Sequence, residues 1–202
     1  MHTTISPFTL TYVKAGRQAA PEQSGWQGTS PEFGEIRVVH PADRETHALV
    51  AEVRGGLIPT AVYETRGLHT DVVSLPTVNG STLRVGDGLV RMSRNRWALT
   101  HRGRSLRLTY LGDRYRLKAI NRRAYELSRR ADSEDPGAVV TVRRSGIGSG
   151  RKVTVRAAGR VLPADITLAV LFTAVDRSVL TRRGAVRAGF ARLFGFWAEV
   201  QA

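Results

Sequence analysis

The sequence predicts a mainly β fold with one buried helix near its C-terminus, and three observations carry that expectation. Short runs of β-branched and apolar residues recur between Gly, Asn and Pro turn signals. The middle of the chain alternates apolar and polar residues with a period of two. Only near the C-terminus does an apolar run spread all the way round a helix. At 202 residues, with 42% hydrophobic and 24% charged residues, the chain has the length and composition to bury a core without disulfide or metal staples.

Taken in order, residues 1–34 read as an N-terminal strand and a loose arm. The stretch AGRQAAPEQSGWQGTSPEFG is rich in Gly, Pro, Ser and Gln and has neither periodicity, with Trp26 and Phe33 placed to pin it to the body. EIRVVH, HALVAEVR, TAVYETR and TDVVSLPTV follow as successive antiparallel strands, although HALVAEVR satisfies a helical period equally well. In SLRLTYLGDRYRLKAI, Leu106, Leu108 and Tyr110 alternate with polar residues, as do Tyr115, Leu117 and Ala119 after the turn. This is a hairpin with one buried face and an arginine-rich outer face. AYELSR, AVVTVRR and RKVTVRAAG continue the series, the last two joined by SGIGSG.

In LPADITLAVLFTAVDRSVL the apolar positions surround a helix expected over residues 163–180. Asp165 and Asp176 leave only ten uncharged residues between them, far short of the roughly 20 that a bilayer span requires. The segment is therefore expected to fill a core. Residues 181–202 form a second candidate, a basic amphipathic tail helix. Val186, Phe190, Leu193, Phe194 and Trp197 fall on one stripe, with Arg182, Arg183 and Arg187 beside it. Docking on its own domain explains that pattern as well as a membrane or partner surface does.

Strands followed by one apolar helix bounded by two Asp residues resemble the Tubby C-terminal-like superfamily. The closer branch is the LURP-one-related and phospholipid-scramblase-like proteins. YRLKAINRRAYELSR, AVVTVRRSG, KVTVRAAG and LPADITLAVLFTAVDRSVL carry the resemblance, which covers about residues 83–180. It implies a closed antiparallel barrel of about twelve strands with the hydrophobic helix in its lumen. It also implies lipid or membrane association, as in some members of these families, and points to no known catalytic residues. The clear transmembrane helix and cysteine-rich segments of scramblases are missing here. Independently, a barrel of about eight or more strands has an interior that must be filled, and a helix apolar on every side suits it.

Charge points to the partner. The formal net charge is +14, and nearly all of it lies in residues 101–202, where 21 basic residues face 8 acidic ones; residues 1–100 hold 10 and 9. An anionic phospholipid or acidic protein surface, or nucleic acid, is the expected partner. In RRSGIGSGRK, Arg143, Arg144, Arg151 and Lys152 surround glycines able to cradle phosphate, although the segment lacks the spacing of a P-loop and also reads as a plain hairpin loop. Together with Arg182, Arg183 and Arg187 they form the expected anion or lipid site, with Phe190, Phe194 and Trp197 inserting or docking. Arg91, Arg94, Arg96, Arg102, Arg104 and Arg107, with Trp97 among them, are the alternative nucleic-acid face.

The five histidines show no HExxH spacing, no GxSxG elbow exists, and there is no cysteine. Nothing nominates a catalytic residue, a metal or a cofactor. The expectation is a non-catalytic binding or scaffold protein, cytoplasmic and peripheral at the membrane, with a subunit of a homo- or hetero-oligomer as a further reading.

Overall fold

The computed structural model describes residues 5–14, 23–41, 48–66, 75–76, 78, 81–95, 105–177 and 180–181. Within them twelve strands form one closed antiparallel barrel. They are β1 Phe8–Val13, β2 Gln23–Ser30, β3 Gly34–Pro41, β4 Ala48–Gly55, β5 Ala61–Arg66, β6 Ser81–Val85, β7 Gly88–Arg94, β8 Leu106–Tyr110, β9 Asp113–Ala119, β10 Ala124–Arg129, β11 Ala138–Ser145 and β12 Lys152–Gly159. Each strand pairs with its sequence neighbours, and β1 closes the ring by pairing with β12, Phe8 opposite Val155 and Leu10 opposite Val153.

Alternation decides which way each side chain points. Leu106, Leu108, Leu117, Leu127, Val140, Val142, Val153 and Val155 face inward and are buried. Arg107, Thr109, Arg114, Lys118 and Arg156 face outward and are exposed. This is the reverse of a lipid-facing barrel, whose outer band is apolar. Among the described residues no helix is long and apolar enough to cross a membrane. The β8–β9 hairpin turns through Leu111 and Gly112, both at positive φ (48° and 89°), the backbone that a two-residue hairpin turn demands.

The lumen is filled by α1, Pro163–Leu171, whose residues from Asp165 onward are all buried. It packs against β4, β5 and β6 on one side and β10 and β11 on the other. Pro163 opens its first turn, where a missing N–H costs nothing. The Asp165 carboxylate accepts the Leu162 N–H at 2.8 Å, while the Asp165 N–H donates to the Leu162 carbonyl at 3.0 Å. Tyr125 donates to the Ala169 carbonyl at 2.6 Å, and Thr167 donates to Pro59 at 3.0 Å, fixing the helix to both walls.

Two elements differ from the sequence reading, and a third settles between its two alternatives. The helix ends at Leu171 rather than near 180, because Thr173 turns back on Val170 (Oγ1 to O, 2.7 Å) and the Asp176 N–H leaves for the Pro76 carbonyl at 2.9 Å. The buried run nevertheless continues through Val175. Residues 23–30, read as part of a loose arm, form β2. A Cβ at Gly25 would collide with the Val38 carbonyl and one at Gly28 with the Thr9 carbonyl, so glycine there serves the close approach of three strands. HALVAEVR contributes a strand, β4, paired with β3 and β5. Most of TDVVSLPTV, and the tail helix over 182–202, lie outside the described residues.

Candidate anion-binding site

Strand pairing brings basic residues together at the end of the barrel where α1 terminates. Positions 138, 140, 142 and 144 of β11 share the inner face, so Arg144 points inward where the apolar series gives out. Its Nη2 donates to the Thr173 carbonyl just beyond α1, where a cation also suits the negative end of the helix. Its guanidinium lies 5.3 Å from the Trp26 ring centroid. Its Nε is buried and has no partner among the described residues.

Three neighbours complete the cluster. The β10–β11 register sets Ala124 opposite Arg143, which carries the Asn121-Arg122-Arg123 turn to the same end. Arg151 stacks 3.5 Å over the Tyr12 ring and donates to the Gly148 carbonyl at 2.9 Å. Trp26, Arg122, Arg123, Arg144, Ser145, Gly146 and Arg151 line a cleft of about 210 Å³, with four arginines and no carboxylate among them. Behind it Arg177 is buried with its guanidinium 4.0 Å over Tyr125, and its Nη1 also lacks a partner among the described residues.

Electrostatics follows from the burial. Desolvation lowers the Arg177 pKa to about 10, with Tyr125 and Asp176 opposing and Arg144 adding to the fall. Arg177 therefore stays cationic at neutral pH. Desolvation, with Arg151 beside it, also lowers Arg144, against Tyr125 and Asp176. Desolvation raises the Tyr125 hydroxyl to about 12.

Of the residues the sequence nominated, the cleft gathers Arg144 and Arg151. Arg143 faces outward on β11, lining a neighbouring depression with Asn121, Arg122 and Arg123. Lys152 is exposed on the outer face of β12 and lines neither cavity. Arg182, Arg183, Arg187, Phe190, Phe194 and Trp197 lie outside the described residues. So do Arg96, Trp97, Arg102 and Arg104 of the other basic stretch. Arg91 and Arg107 project from β7 and β8, and Arg107 stands directly opposite Arg116 of β9. Sequence reasoning missed Trp26, Arg122, Arg123 and Arg177. The first arrives through closure by β1 and β2. The next two could have been found from hairpin register, and Arg177 could have been found by following the chain past a shorter helix.

No group of three or more side chains able to hold a metal ion occurs among the described residues. Comparison with known proteins gives no matching family model, no matching curated protein and no matching solved structure.

Proposed function

We propose that this chain is a non-catalytic binding module of Tubby-like architecture that associates with an acidic phospholipid surface through the arginine cleft at the α1 C-terminal end of the barrel. The observation that carries this reading is the convergence of Arg122, Arg123, Arg144 and Arg151 on one cleft with no carboxylate among its described lining residues. Guanidinium forks match phosphate oxygens in geometry and charge. A polar outer face and a helix-filled lumen fit a module that docks its end on a surface. The resemblance to lipid-associated proteins points the same way.

Flotation with vesicles tests it. The protein is expected to float with phosphatidylserine-containing vesicles at physiological salt and not with phosphatidylcholine alone. Replacing the exposed Arg122, Arg123 and Arg143 by Gln is expected to weaken binding about 100-fold, at ~1 kcal/mol for each cation near an anionic surface. Equal flotation of this variant would remove the cleft from the function.

A second reading rests on the outward-facing Arg91 of β7 and Arg107 of β8, exposed on adjacent strands. A phosphate backbone running along that face would meet both cations. Flotation abolished by excess nucleic acid, with tight salt-sensitive binding to that competitor, would favour it.

A further inference from the structure

We infer that the arginine cleft is a site for one phosphate monoester dianion, which offsets the excess of positive charge among its described lining residues, and that its binding is coupled to the seating of the chain that follows α1. The inference rests on the anion-binding reading above and narrows it to a ligand chemistry.

Hydrogen bonding around the cleft is incomplete. Arg144 commits Nη2 to Thr173, yet among the described residues its Nε has no acceptor, and neither has Nη1 of Arg177. A buried donor left unpaired costs roughly 1–3 kcal/mol. Arg144 feels the charges of Arg151 and Arg177, and Asp176 is the carboxylate within electrostatic reach of both Arg144 and Arg177. A phosphate monoester carries about −1.5 to −2 charge and three strong acceptor oxygens. It would offset the excess and meet the exposed forks of Arg122 and Arg123 beside the Arg144 wall of the cleft.

Size is compatible with that ligand. The cleft's 210 Å³ exceeds the roughly 10–15 Å³ that one water needs on the same measure. That admits one phosphoryl group with part of its hydration.

Coupling follows from Arg144 itself. The same guanidinium that lines the cleft bonds Thr173, the residue that stops α1. An anion that relieves the repulsion on Arg144 therefore holds the end of the helix in the lumen, and ligand that binds only the folded chain raises its stability.

Thermal unfolding of the full chain is the test, in inorganic phosphate against chloride at equal ionic strength. Vesicles containing phosphatidic acid, a monoester, are compared with vesicles containing phosphatidylglycerol, a diester, at matched surface charge. Saturating phosphate is expected to raise Tm by about 5 °C or more, an effect chloride does not reproduce. Phosphatidic acid vesicles are expected to bind better than phosphatidylglycerol vesicles and to lose the protein to added phosphate. Arg144→Lys, which keeps the charge but deletes the fork, is expected to lose the phosphate-dependent rise. Should that variant not fold, the Arg122→Gln/Arg123→Gln protein, altered only at exposed side chains, is expected to show less than half of it.

A phosphate-dependent rise without vesicle binding would support this inference for a soluble phosphate ester and remove the membrane reading. Vesicle binding that ignores both phosphate and the monoester would leave the membrane reading and overturn this inference. Equal effects of chloride and phosphate would overturn it as well.

Discussion

Arg129 and Arg144 both point into the lumen of the barrel, one near each end of α1, and their surroundings are opposite. At the N-terminal end of the helix, Arg129 donates to Asp165 at 3.0 Å, to Asp135 at 2.7 Å and to the Arg160 carbonyl at 2.6 Å. Burial disfavours this cation, but the bonds to Asp135 and Asp165 win and raise its pKa above the ordinary value. At the other end, Arg144 has one carbonyl, an aromatic face and cationic neighbours. The first arrangement closes on itself and anchors the helix. The second leaves buried donors without a partner among the described residues, and the proposed anion site lies beside them.

Breaking the closed end gives the largest effect. Arg129→Met leaves Asp165 buried without its cation, and removing one partner of such a pair costs about 3–5 kcal/mol. Urea unfolding is expected to show a loss of that size. The Arg129→Met/Asp165→Leu double variant is expected to recover more than half of it, since no uncompensated charge remains. A double variant as unstable as the single one would mean that Arg129 acts through packing rather than through charge.

These ends were unequally legible in the sequence. The β8–β9 hairpin could be read outright because Leu106, Leu108, Leu117 and Ala119 alternate strictly with polar residues. The buried character of LAVLF was equally plain. β2 was not, because Gly25 and Gly28 look like loop residues until β1 and β3 are laid against them. Arg129 and Asp165 stand 36 residues apart, and only ring closure with the helix inside makes them partners. The cleft shares that limitation. Arg144 and Arg151 were visible as a basic cluster, whereas Trp26 and Arg177 reach it through long-range topology.

Alkali acts on both walls and separates the open end from the rest. Desolvation raises Tyr63 and Tyr125 to about 12 and raises Tyr115 as well. In the unfolded chain these hydroxyls ionise near 10, so between pH 10 and 12 the folded state holds more protons. Stability therefore falls as pH rises, by roughly 1.4 kcal/mol per pH unit for each such group. Arg177 has the opposite sign: its folded value near 10 lies below its unfolded one, so its contribution grows with pH over the same range. Absorbance at 295 nm is expected to show a late-titrating class of tyrosines. The fall in stability above pH 10 is expected to be steeper in Arg177→Met, which lacks the opposing contribution.

The same substitution gives the smallest effect at neutral pH. Arg177 forms no ion pair among the described residues, so Arg177→Met removes a desolvated cation with an unpaired Nη1 while keeping an apolar body over Tyr125. Lost cation–π attraction and relieved desolvation oppose each other, and the net change is expected to stay within about 1 kcal/mol. Chemical denaturation in phosphate-free buffer checks this value. A loss near that of Arg129→Met would show that Arg177 is as firmly satisfied as Arg129. The two ends would then be equivalent anchors, and the excess positive charge at the cleft would belong to the fold rather than to a ligand.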